Sequence, residues 1–162
     1  MKKLILIRHA KSSWEHDVID HKRPLSKRGI KDANLVAKQL KSLEFTADLV
    51  LISDATRTTL TANIILPELN IDKEKIVLTH DLYDFSGINL TKVIKNCKDH
   101  LETLLVFGHN HAVTGFVNAY GSAYIDNVPT CGVVVIEFDT NEWPNISSGK
   151  TLTSIFPRDL RP

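Results

Sequence analysis

The chain has 162 residues, the length of one ordinary domain, and we expect residues 1–162 to form a single domain. Hydrophobic residues make up 43% of it and charged residues 24%, a balance typical of folded globular proteins and unlike that of disordered ones. The formal net charge is +1, which argues against a protein that coats nucleic acid or a membrane surface.

The N-terminal apolar run ends at Arg8, which makes it too short for the apolar region of a signal peptide. No stretch reaches the ~18 apolar residues that a membrane span needs. The two cysteines, Cys97 and Cys131, form no CxxC pair and favour reduced thiols. We therefore expect a cytoplasmic protein with neither a nucleic-acid nor a membrane partner.

The first elements along the chain alternate between strand and helix. Residues 4–7 form a continuous apolar run, which predicts a strand buried on both faces. Residues 26–43 have apolar side chains at helical spacing, and Ser26 is placed to cap that helix. The apolar stripe of this helix consists of Ile30, Ala33, Ala37, Leu40 and Leu43. Residues 49–52 then predict a second buried strand.

The same alternation continues through the rest of the chain. Residues 56–66 predict a helix that Pro67 ends, and residues 75–78 predict a short strand. A helical stripe follows, at Leu90, Val93, Ile94, Cys97 and Leu101. Residues 104–107 predict a third buried strand and residues 113–120 a helix.

Two final strands are expected at residues 132–138 and 151–156, joined by a loop that contains Pro144 and Gly149. Regular alternation of strands and helices is typical of a parallel sheet with helices on both faces. The predicted fold class is therefore α/β, with three layers (α/β/α) around a mostly parallel central sheet.

Three of the predicted strands end in residues that a loop does not need for its structure. The first ends in Arg8 and His9, the second leads into a segment that contains Arg57, and the third ends in Gly108 and His109. In such sheets, ligands bind at the carboxyl ends of the strands. If the strands are parallel neighbours, two arginines and two histidines gather at one edge.

This set of side chains suits the transfer of a phosphoryl group. Arginine presents fixed donors that match phosphate oxygens, and helix N-termini add backbone N–H groups. A neutral imidazole attacks phosphorus well, and a phosphohistidine intermediate splits one displacement into two easier ones. Arg8, Arg57 and His109 can neutralise the oxygens of the transferring group. The sequence thus predicts a phosphatase with His9 as its covalent nucleophile.

Each of these residues also has a plainer interpretation. Arg8 and His9 could be a solvated strand end, Arg57 a surface helix residue, and His109 a cap or loop histidine. Zinc binding is the main chemical rival, but the sequence has no HExxH motif and two nearby arginines would repel a cation. The histidines available to zinc are His9, His80, His109 and His111. We therefore predict neither a metal nor an organic cofactor.

Three separated segments resemble the motifs of the histidine phosphatase superfamily, also called phosphoglycerate-mutase-like. They are residues 6–10 followed by 23–29, residues 53–62, and residues 106–110. The short length, the start of the chain, the Arg23-Pro24-Leu25 element and the closing segment are most similar to the SixA branch of phosphohistidine phosphatases. The resemblance runs through nearly the whole chain, and three motifs in order are specific.

The resemblance implies roles residue by residue. His9 would be the nucleophile, Arg8 and Arg57 would clamp the phosphoryl group, and His109 would stabilise it during transfer. Arg23 matches a position that lies by the phosphate in the SixA branch, although it could also be a surface arginine preceding a helix.

Two positions depart from the superfamily pattern. Ala10 stands where glycine is usual, and its methyl group is expected to narrow the pocket floor slightly. Many relatives have a glutamate that protonates the leaving oxygen, and residues 79–87 contain none. Asp84 or Asp81 could substitute for it, yet an aspartate there could equally be a loop or helix-cap residue.

The missing glutamate indicates a substrate class. An alcohol leaving group benefits from a general acid, whereas a phosphorylated imidazole departs more readily because its ring can already hold the proton. We therefore predict phosphohistidine on a protein as the substrate. The alternatives are a broad phosphatase for small phosphorylated metabolites, with Asp84 or Asp81 as the acid, and a non-catalytic phosphate-binding module of the same fold.

Overall fold

The computed structural model describes residues 1–162, and a six-stranded sheet forms its centre. The strands are β1 (Lys2–Arg8), β2 (Leu49–Ser53), β3 (Ile76–Thr79), β4 (Thr103–Gly108), β5 (Val133–Phe138) and β6 (Lys150–Ile155). Their order across the sheet is β3-β2-β4-β1-β5-β6. The neighbours from β3 to β1 pair in parallel, while β5 runs antiparallel to both β1 and β6. The sheet is therefore mostly parallel, as predicted.

Helices cover both faces of this sheet. They are α1 (Lys27–Ser42), α2 (Thr56–Ile65), α3 (Ile88–Lys95), α4 (Ala112–Tyr120) and the short α5 (Pro157–Leu160). Alternate β1 side chains feed two cores: Ile5 and Ile7 pack with α1 and α2, and Leu4 and Leu6 pack with α3 and α4. The two cores flank one central sheet, so the predicted three-layer α/β architecture is confirmed.

Helix α1 begins as predicted but faces the core differently. The Ser26 hydroxyl accepts a hydrogen bond from the Gly29 N–H at 3.1 Å and so caps the helix. Ile30 and Leu43, which the predicted stripe included, are exposed, whereas Val36 is fully buried. At 100° per residue the buried face centres near Val36 and Leu40, so Ile30 falls on its border, whereas Leu43 is the C-cap residue beyond the last turn of the helix.

Helix α3 is shorter than its apolar stripe suggested, because it ends at Lys95. Cys97 and Leu101 still pack against the same core from the segment after the helix. Burial raises the pKa of the Cys97 thiol to about 11, in keeping with a small core residue. Both cysteines are free thiols. None of the helices combines the length and the apolar character that crossing a membrane requires.

Candidate active site

The register of the sheet brings the ends of three strands together. Arg8 at the end of β1 pairs with Gly108 at the end of β4, and the His9 N–H donates to the Gly108 carbonyl at 3.1 Å. The ring centroids of His9 and His109 lie 5.3 Å apart. Strand β2 ends beside β4, and its last residue, Ser53, contacts His109. The strand-end geometry expected from the sequence is therefore present.

His9 is held as a neutral imidazole with one defined proton. Its side chain lies within hydrogen-bonding distance of the Ala10 carbonyl, with Nδ1 at 2.7 Å from the oxygen. Because a carbonyl only accepts, Nδ1 holds the proton, and Nε2 keeps its lone pair. Burial, with only 6% of the residue exposed, and the positive charges of Arg57 and Arg8 together lower the pKa of His9 to about 3, although the hydrogen bond to the Ala10 carbonyl opposes the shift. The ring is thus in its nucleophilic form at neutral pH.

His109 is oriented by the serine at the end of the neighbouring strand. Its Nε2 lies 2.7 Å from the Ser53 hydroxyl, which also accepts a hydrogen bond from the Ala55 N–H. The Nδ1 atom of His109 is buried and has no hydrogen-bond partner within the protein. Burial, with the neighbouring His9 and Arg57, lowers the pKa of His109 to about 2. The His109 ring is therefore neutral at neutral pH.

Arg57 and Arg8 are each anchored through part of their guanidinium group. Arg57, in the first turn of α2 and only 2% exposed, donates to the backbone carbonyl and carboxylate of Asp20 at 2.8 and 3.0 Å. Arg8 donates to the Val128 carbonyl at 2.9 Å. The Nε atoms of both arginines are buried without a partner. Burial is the main effect that lowers the pKa of Arg8. The positive charge of the nearby Arg57 lowers it as well.

Arg23 belongs to the same site and is not a surface arginine. The residue is only 7% exposed, and its guanidinium donates to the Ser12 hydroxyl at 2.6 Å. The Trp14 ring stacks on it, with the ring centroid 3.5 Å from Cζ. Arg8, His9, Arg23 and Arg57 line one cavity of about 360 Å³. A larger groove of about 800 Å³ between α3 and α4 has neither histidine nor arginine in its lining.

Asp20 is the site residue that sequence reasoning missed. It lines the cavity, and its carboxylate accepts hydrogen bonds from Arg57, Arg23 and the Tyr83 hydroxyl. Burial alone would raise the pKa of this carboxyl, but the hydrogen bonds from Tyr83 and Arg57 outweigh that effect and lower it to about 2. The one available signal was its position three residues before Arg23, a spacing that allows pairing across one helical turn.

The two aspartates suggested as a general acid do not fit that role. The Asp84 carboxylate accepts hydrogen bonds at the start of α3, from Ser86 N–H and hydroxyl and from the N–H groups of Gly87, Asn89 and Leu90. Although burial opposes it, these bonds lower the pKa of Asp84, so the group is ionised and fully engaged. Asp81 is exposed, and it does not line the cavity. The helix-cap interpretation of Asp84 is the one that the structure supports.

The alanine after the nucleophile does not narrow the pocket. Ala10 is completely buried and packs in the core beneath α1, and its N–H donates to the Thr61 hydroxyl at 2.9 Å. Its methyl group therefore contributes to the core, contrary to the expectation from the sequence.

Comparison with known proteins places the chain in a family. The family model of the histidine phosphatase superfamily (branch 1) matches residues 4–93. An uncharacterized chloroplastic protein of Arabidopsis thaliana is 33% identical, over 88% of this chain and 69% of the relative. In fold, the chain is similar to the protein histidine phosphatase SixA complexed with tungstate, with a TM-score of 0.79 and 19% identity over 98% of this chain and 99% of that one.

A phosphoserine phosphatase of Entamoeba histolytica, solved as a His-to-Ala mutant with phosphoserine, is also similar in fold. Its TM-score is 0.62 at 16% identity, over 99% of this chain and all of that one. Both solved structures show the same α/β architecture as this chain. Together with the match of the family model over more than half of the sequence, they leave one assignment: the chain belongs to the histidine phosphatase superfamily, branch 1.

Proposed function

We propose that this histidine phosphatase removes phosphate from phosphohistidine on a protein, by way of a phosphoenzyme formed on His9. The proposal depends chiefly on one observation, that the cavity around His9 has no proton-donating carboxyl group. Asp20 is the only carboxylate in its lining, and the lowered pKa of Asp20 keeps it ionised. A site that cannot protonate an alkoxide favours a leaving group that departs as a neutral ring.

The first step forms a bond between His9 Nε2 and phosphorus while the bond from phosphorus to the substrate imidazole breaks. The substrate ring, protonated on its other nitrogen, leaves as neutral imidazole, so no proton from the enzyme is required. Water then attacks the phosphoryl group on His9, orthophosphate departs, and the imidazole returns to its starting state. In both steps, Arg8, Arg57 and His109 would stabilise the equatorial oxygens.

The rim of the cavity supports a protein-borne substrate. Trp14 and Phe85 both line the cavity, and Trp14 is 79% exposed although it stacks on Arg23. Aromatic side chains held at a rim offer contact area to a polypeptide at little cost in side-chain entropy. A small phosphorylated metabolite would leave these rings without a partner. We also propose a cytoplasmic setting, where free thiols such as Cys97 persist.

The test is a comparison of substrates by kcat/KM. A phosphohistidine peptide should be hydrolysed at least 100-fold faster than a phosphoserine peptide or a sugar phosphate, since a general acid is worth about 10²- to 10⁴-fold for an alcohol leaving group. His9→Ala should lose turnover and the acid-labile phosphoenzyme, while the matched control His16→Ala, an exposed histidine outside the cavity, should retain both. Faster hydrolysis of the sugar phosphate would overturn the substrate class, and turnover by His9→Ala would overturn the mechanism.

A non-catalytic phosphate-binding module is the alternative from another class. It requires only the arginines, and it has no use for a neutral His9 whose Nε2 lone pair is free. The same experiment separates the two, because a module binds orthophosphate but forms no phosphoenzyme.

A further inference from the structure

Outside the catalytic cavity, two histidines and an aspartate from three different elements converge. His21 lies on the short 3-10 turn Asp20–Lys22, Asp54 follows β2, and His80 begins the turn His80–Leu82. The Asp54 carboxylate lies 2.8 Å from His21 Nε2 and 3.0 Å from His80 Nδ1. One ligand atom from each residue lies within 4.8 Å of the other two. Three elements distant in sequence thus present two imidazole nitrogens and one carboxylate oxygen as possible metal ligands.

Asp54 has no other structural task. It precedes Ala55, the N-cap residue of α2, and α2 has no side-chain hydrogen bond at its N-cap. The Ala55 N–H is bonded by the Ser53 hydroxyl. All hydrogen bonds of the Asp54 carboxylate are instead to the two imidazoles. The folded chain therefore holds this carboxylate for His21 and His80 alone.

We propose that His21, Asp54 and His80 form a binding site for a divalent first-row transition metal ion, Zn²⁺ above all. Imidazole nitrogen and carboxylate oxygen are typical zinc donors, and three protein ligands with water in the fourth position is a common set. Bonds of ~2.1 Å in a tetrahedron separate neighbouring ligands by about 3.4 Å, so the two observed separations need to open only slightly. The His80 side chain is 71% exposed and free to adjust.

The ion at this site would act as a clip and not as a Lewis acid on the phosphoryl group. His21 directly follows Asp20, whose carboxylate holds Arg23 and Arg57. A metal bound by His21, Asp54 and His80 would fix the turn that contains Asp20 to the carboxyl end of β2. The metal site is thus distinct from the arginine-lined cavity, where a cation would be repelled. A metal bound there would restrict the motion of the Asp20 turn beside that cavity.

The test is metal binding by the untagged full chain after removal of metals with a chelator. Calorimetric titration with Zn²⁺, and visible absorption on addition of Co²⁺, should give one ion per chain. Loss of a ligand should weaken affinity at least as much as loss of an outer-shell partner does, about 10- to 100-fold. The substitutions His80→Ala and Asp54→Ala should each show this loss, and the exposed His16→Ala should not.

Zn²⁺ should also raise the Tm of the wild type and leave that of His80→Ala unchanged. Binding of the same strength in wild type and His80→Ala, or an equal loss in His16→Ala, would overturn the site. Because His80 is exposed, its variant is expected to fold, and it decides the question even if Asp54→Ala does not fold. None of these measurements uses phosphatase activity, so their outcome is independent of the proposed substrate.

Discussion

Replacing Asp84 distinguishes a helix cap from a general acid. Its carboxylate accepts five hydrogen bonds at the start of α3, from Ser86 and from the N–H groups of Gly87, Asn89 and Leu90. Loss of an N-cap costs about 0.5–2 kcal/mol, and buried donors left without a charged partner about 1–3 kcal/mol, so we expect Asp84→Ala to cost roughly 2–3 kcal/mol. For a chain of this length, that lowers the Tm by roughly 4–12 °C.

Asp84→Asn should lose less, because one oxygen still accepts hydrogen bonds. Thermal melts and kcat should be measured on the same preparations, with the exposed Asp81→Asn as the matched control. If Asp84 only caps α3, both folded variants keep kcat near that of the wild type. A loss of kcat of about 10²- to 10⁴-fold in Asp84→Asn, with an unchanged Tm, would show a general acid and refute the cap.

The sign of the pH dependence gives a further check on Asp84. Its pKa is lowered in the folded state, so its stabilising effect is complete above the unfolded value of about 3.9 and is lost as the pH falls below it. The Tm difference between wild type and Asp84→Ala should therefore be steady at neutral pH and shrink in strong acid.

Two further predictions concern the catalytic cavity. Asp20→Asn removes a carboxylate that pairs with Arg57 and Arg23, so orthophosphate should inhibit this variant more tightly, by up to about tenfold; a weaker inhibition would mean that Asp20 chiefly positions the arginines. Since His9 is neutral above its pKa of about 3, kcat/KM corrected for substrate ionisation should show no acid limb near pH 6.5. In the unfolded chain the same histidine takes up a proton near pH 6.5, so its contribution to the free energy of unfolding, measured by denaturant titration, should fall as the pH is lowered from about 6.5 to 3.

The sequence was sufficient for the sheet and for the proximity of His9 and His109. Buried strands such as β1 and β4 are continuous apolar runs, and each directly precedes a candidate site histidine. Because strands of a parallel sheet end at the same edge, His9 and His109 could be placed together without knowing their contacts. The capping role of Ser26 could also be predicted from the sequence, since a helix cap acts within three residues of its own position.

The sequence was not sufficient where the function of a residue depends on the path of an irregular segment. Asp20 reaches Arg57 across 37 positions and Tyr83 across 63, from a 3-10 turn that has no hydrophobic period. The His21, Asp54 and His80 cluster has the same origin, since three turns must fold before its ligands meet. The role of Asp84 was ambiguous for a local reason, because its capping bonds reach forward three to six residues and a loop acid looks the same.

In the cavity, burial determines the protonation state of the histidines, and the arginines supply the positive charge. Desolvation keeps His9 and His109 neutral, so neither adds positive charge to the cavity at neutral pH. The attraction for a phosphoryl dianion therefore comes from guanidinium groups, which stay charged at every working pH. Asp20 offsets part of that charge while the arginines have no anion to bind, and it gives Arg57 and Arg23 a fixed geometry. The proposed nucleophile and the proposed phosphate clamp thus depend on separate physical effects, and a substitution that alters one need not disturb the other.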